Sequence, residues 1–72
     1  MILKTLFEYL AQKYKLKLVH IPNYIYLSNN NIILDSFGDA VYCDANYGLV
    51  SISDPECLPK IEEYLNRKVY GI

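Results

Sequence analysis

The sequence predicts an α+β fold in which an antiparallel β-meander of four to five strands is flanked by an N-terminal and a C-terminal helix, both packed on one face. Three observations carry this expectation. Apolar residues recur at helical spacing at both ends of the chain, they recur at period two through the middle, and turn-forming residues separate the β-type runs at short intervals. A chain of 72 residues has room for one small core, so residues 1–72 are expected to form a single domain.

Leu3, Leu6, Phe7, Leu10, Ala11 and Tyr14 follow i, i+3, i+4, i+7 spacing, with Lys4, Glu8, Gln12 and Lys13 on the opposite side, which predicts a helix over 2–14. From Lys15 the pattern switches to period two, and Leu16 to Ile21 forms a β-favouring run that Pro22-Asn23 ends in a turn. Tyr24–Ser28 and Ile32–Phe37 are expected to pair as a hairpin around Asn29-Asn30-Asn31. Gly38-Asp39 reverses the chain into a strand over Ala40–Asp44, and a loop containing Asn46 and Gly48 leads to another over Leu49–Ser53. Ser53-Asp54-Pro55-Glu56 has the spacing of a capping box. After a turn at 54–57, Leu58, Ile61, Leu65 and Val69 mark the buried stripe of a helix over 58–69, which Gly71 ends.

If both helices cover one face, the period-two rule divides the strand residues into two sets. Ile25, Leu27, Ile32, Leu34, Val41, Cys43, Val50 and Ile52 are uniformly apolar and are expected to face the helices. Tyr24, Tyr26, Ile33, Asp35, Phe37, Ala40, Tyr42 and Asp44 form the outward set, too polar for a core and unusually aromatic for a solvated surface. Charge is segregated in the same way: residues 1–22 carry +3, residues 23–57 carry −5 with no Lys or Arg, and residues 58–72 carry +1.

Several function classes are disfavoured. The formal net charge is −1, without the basic excess of a nucleic-acid binder. Tyrosines that could stack bases lie in a segment that lacks the basic groove such binding needs, so no direct nucleic-acid contact is expected. Three glycines form no phosphate-cradling loop, and neither G-x-x-x-x-G-K nor G-x-G-x-x-G occurs. Apolar runs such as Ile32-Ile33-Leu34 fall far short of the ~20 residues that cross a bilayer. Lys4, Glu8, Lys13, Lys15 and Lys17 also interrupt the N-terminal stretch where a secretion signal needs a continuous apolar segment. No membrane association is expected, and the expected location is the cytoplasm, that of the host if the gene is viral.

Cys43 and Cys57 are too few for a disulfide framework, and with His20 they show no zinc-site spacing, so both are expected to be reduced and buried. Asp35, Asp39 and Asp44 lie within ten residues of one another. They leave open a metal-dependent enzyme built on oxygen ligands, although their spacing matches no metal-binding loop. The leading expectation has no cofactor, no metal and no catalysis.

What remains is recognition. Tyrosine offers a large amphipathic contact at low entropic cost, and carboxylates select basic residues across an interface. The outward residues Tyr24, Tyr26, Asp35, Phe37, Tyr42 and Asp44 are therefore expected to bind a protein partner with a basic surface. Ile, Asn, Lys and Tyr, whose codons are rich in A and T, make up 28 of the 72 residues. That bias and the small size fit a phage- or plasmid-encoded inhibitor of a host nucleic-acid enzyme, of the anti-CRISPR or anti-restriction type. A structural or regulatory homodimer associating through the sheet is the alternative.

Overall fold

A computed structural model describes residues 2–71. Its elements are α1 (Leu3–Tyr14), β1 (Lys17–Ile21), β2 (Tyr24–Asn29), β3 (Asn31–Phe37), β4 (Ala40–Tyr42), β5 (Leu49–Ser51) and α2 (Cys57–Leu65). A π-helical turn over Asn66–Tyr70 extends α2. The strands form one antiparallel sheet in the order β1-β2-β3-β4-β5, so the expected meander with flanking helices is the observed architecture.

The core joins both helices to one face of the sheet. Leu6, Phe7, Leu10 and Tyr14 of α1 and Cys57, Ile61, Tyr64 and Leu65 of α2 are buried with Ile25, Leu27, Leu34, Val41, Cys43 and Val50 in a single cluster. The two helices also meet each other at their exposed ends. Lys13 Nζ lies 3.0 Å from Glu62 Oε2, Tyr9 donates to the same carboxylate, and the Tyr14 hydroxyl donates to Asn66 Oδ1 at 2.9 Å.

Chain reversals use residues that tolerate a positive φ. Asn23, with φ 65°, follows Pro22 in the β1–β2 turn, the arrangement of a type II turn with proline first and asparagine second. A single residue, Asn30 with φ 73°, separates the paired Asn29 and Asn31. Lys15 ends α1 in the left-handed region at φ 57°, where glycine is the usual occupant.

The structure corrects four details of the sequence reading. The pairing of β2 with β3 runs Leu27 to Leu34 and then Ser28 to Ile32, with a bulge between them. The inserted residue is Ile33, and it reverses the phase of the strand: Ile32 is 53% exposed beside Ser28, while Ile33 packs against the core. The strands expected over Ala40–Asp44 and Leu49–Ser53 stop at Tyr42 and Ser51. Ser53 forms no capping box, because its hydroxyl pairs with that of Ser51 at 2.8 Å; Asp54 Oδ1 instead accepts the Glu56 N–H. The final helix begins at Cys57 and keeps α geometry only to Leu65. Pro59 is its third residue, where the missing N–H would have had no intrahelical partner.

Tyr64 ties the bulge to the helix layer. Its side chain is 5% exposed, and its hydroxyl lies 2.9 Å from the carbonyl of Cys43 and 3.2 Å from that of Ile33. Carrying one proton, it donates chiefly to Cys43 and secondarily to the bulged residue. Burial pushes this phenol up to about 12, so it stays a donor. Replacing Tyr64→Phe strands buried carbonyls and is expected to cost about 1–3 kcal/mol, seen as a lower urea midpoint with an unchanged slope.

Candidate interaction face

Because both helices lie on one side, the other side of the sheet has no covering layer among the described residues. Strand registers identify what it carries, since directly opposed residues share a face. Lys17, Val19 and Ile21 of β1 oppose Ser28, Tyr26 and Tyr24 of β2. Ile32 sits beside Ser28, Asp35 and Phe37 oppose Tyr42 and Ala40, and Leu49 and Ser51 oppose Tyr42 and Ala40 from β5.

This face is more apolar than the sequence reading expects. Ile21 (51% exposed), Ile32 (53%), Phe37 (72%), Tyr42 (40%) and Leu49 (53%) all lie on it. They outnumber the exposed large apolar residues elsewhere, which are Ile2, Tyr9 and Tyr70. Tyr24 and Tyr26 stack at 5.3 Å between ring centroids, tilted by 45°. Of the six expected contact residues, Tyr24, Tyr26, Asp35, Phe37 and Tyr42 are brought together. Ile21, Ile32 and Leu49 join them. Ile32 was hidden from sequence reasoning by the bulge, whereas Ile21 and Leu49 follow from simple alternation.

Asp44 is not on the face. It lies in the β4–β5 loop, where Oδ1 accepts the N–H groups of Asn46 at 2.9 Å and Tyr47 at 2.7 Å, while Oδ2 is 3.7 Å from Lys68 Nζ. Short polar side chains favour such local bonds to their own loop, and this one organises the return to β5. Asp35 is on the face but is engaged there: Oδ1 accepts the Ser36 N–H at 2.8 Å, and the carboxylate's influence on Tyr24 raises that phenol above its ordinary value.

Ser36 also bridges β3 to β2 through its side chain. Next to the bulge, the Ser36 hydroxyl replaces a backbone ladder: it donates to the Ile25 carbonyl at 2.7 Å and accepts the Ile25 N–H at 3.3 Å. The strand ends part around this strut, and a cleft of 380 Å³ opens beside them, lined by Lys4, His20, Asn23, Ser36 and Asp39 among others. On the helix side, Thr5, Leu6, Tyr9 and Leu58 line an apolar groove of 250 Å³ between α1 and α2.

The three aspartates of the metal-site alternative lie on different elements. Asp35 is on β3, Asp39 in the β3–β4 turn and Asp44 in the next loop, and no three His, Cys, Asp or Glu side chains among the described residues are placed to hold a metal ion. Cys43 and Cys57 are buried and free. Burial pushes the Cys43 thiol up to about 12 and raises that of Cys57 as well, which favours the protonated thiol at both.

Comparison with protein-family models, curated proteins and solved structures finds no match.

The loop carboxylates set a pH dependence of stability. Asp44 is held below the ordinary carboxylate range chiefly by the Tyr47 N–H, with Asn46 and Lys68 adding to it. Asp54 is held low by its bond to Lys60 and then by the Glu56 N–H. A carboxylate lowered on folding adds stability above its unfolded value, about 3.9 for Asp, and loses it as pH falls through the folded value. Thermal midpoints are expected to hold near pH 7 and fall below about pH 5, and an Asp44→Asn/Asp54→Asn variant should show a shallower fall.

Proposed function

We propose that this protein works by docking rather than catalysis, and that the open face of the sheet is its contact surface. The observation that supports this is the convergence of Ile21, Ile32, Phe37, Tyr42 and Leu49 on one uncovered side. Contiguous exposed apolar surface rimmed by polar groups is characteristic of protein interaction sites, and aromatic side chains there anchor binding with little loss of rotamer freedom.

The partner's matching patch is apolar at its centre and basic where it meets Asp35. Occlusion of such a patch on a host nucleic-acid enzyme, by a small phage- or plasmid-encoded inhibitor of the anti-CRISPR or anti-restriction type, is the specific version that the AT-rich composition favours. With Asp44 turned into its loop and Asp35 bonded to Ser36, charge contributes less to the contact than apolar burial does. Association through the sheet to form a homodimer is the second reading. It is favoured by the face carrying one Lys17 and one Asp35, so that a second copy meets no excess of like charge.

Affinity capture from source or host lysate tests the docking reading, with wild type compared against Phe37→Lys and Tyr26→Lys, each shown folded by circular dichroism. A protein retained by wild type at both 0.1 and about 0.5 M salt, and lost from both variants, is the expected result. Equal retention by all three forms moves the contact away from this face. Retention that vanishes at the higher salt returns the weight to the carboxylates.

A further inference from the structure

The edge of the sheet at β1 has an open hydrogen-bonding side whose register can be derived. The N–H and C=O of Ile25 point toward β3, because both bond to Ser36 Oγ. His20 is opposite Ile25, and Leu18 opposite Leu27 two residues along. In an antiparallel ladder the groups of residues so placed point away from the neighbouring strand. The backbone N–H and C=O of Leu18 and His20 therefore face outward from the edge, and among the described residues they have no backbone partner across it. The opposite edge offers far less, since β5 has three residues and ends in a turn.

We infer that β1 is a pairing edge and that its occupant is β1 of a second copy, antiparallel about a two-fold axis at Val19. In that register Leu18 of each copy faces His20 of the other, and each such pair exchanges both of its hydrogen bonds. Lys17 faces Ile21 of the second copy, so the strand's one formal charge is not set against itself. Val19 faces Val19. The helix layer permits the same approach: α1 packs over both β1 and β2, so its axis lies about half a strand spacing inside the edge. Strands ~4.8 Å apart then bring the two α1 axes to about 10 Å, within the usual distance for packed helices.

The pairing also joins the two open faces into one continuous surface, doubling the area offered to a partner. The edge pairing stands independently of open-face docking; only the benefit of the doubled area rests on that reading.

The register predicts a specific cross-link. Val19 pairs with itself at a non-hydrogen-bonded position, where Cα atoms lie about 4.5 Å apart, inside the range a disulfide spans. Oxidised Val19→Cys is expected to run as a covalent dimer, while Ile21→Cys, offset from its own copy by four residues along the strand, stays monomeric. Sedimentation of wild type should show a doubled mass that His20→Pro abolishes, because proline removes the outward N–H and leaves the β1–β2 ladder intact. Phe37→Lys should leave the doubled mass unchanged. A monomer at every concentration overturns the inference. So does a dimer that survives His20→Pro but is lost in Phe37→Lys, which would place self-association on the open face, or a covalent dimer formed equally well by Ile21→Cys.

Discussion

Among the described residues two helices cover five strands, and both are drawn to the same side. That side is selected by alternation within the strands, where Ile25, Leu27, Leu34, Val41 and Val50 present a continuous aliphatic surface, and burial of such side chains against α1 and α2 is the main favourable term in folding. The one-sided layering leaves the reverse of the sheet without a cover among the described residues. Tyr64 holds the layers in register by reaching from α2 to the carbonyls of Cys43 and Ile33 across the core.

Much of this architecture is legible in the sequence because its signals are local. The helical stripe from Leu3 to Tyr14, Pro22-Asn23 at the first turn, the asparagine run at the second and Gly38-Asp39 at the third each specify structure through neighbouring residues alone. The features that escape sequence reading depend on tertiary partners. The bulge at Ile33 shifts the strand by one residue, and its carbonyl finds Tyr64, 31 positions away in the chain. Ser53 could have capped the last helix, but its hydroxyl meets Ser51 and Asp54 takes the neighbouring N–H instead. Nothing local separates these outcomes.

The candidate face divides along the same line. Its aromatic members alternate cleanly along β2, β3 and β4 and could be assigned in advance. Its electrostatics could not, because a carboxylate counted in the sequence as a free charge can be consumed by its own backbone. Asp44 is taken up by the loop N–H groups of Asn46 and Tyr47, and Asp35 by that of Ser36. A segment carrying −5 thus presents a face whose exposed large side chains are mainly apolar. Among the described residues, neither the reverse of the sheet nor the outer edge of its first strand is shielded.

Methyl resonances of the folded protein test the central claim most directly, read as the partner retained by wild type is titrated in after purification. The account predicts that Val19, Ile21, Ile32 and Leu49 shift or broaden together, while Thr5 and Leu58 in the groove between the helices do not move. Perturbation centred on Thr5 and Leu58, with the open-face methyls unchanged, would contradict it and assign recognition to the helix layer.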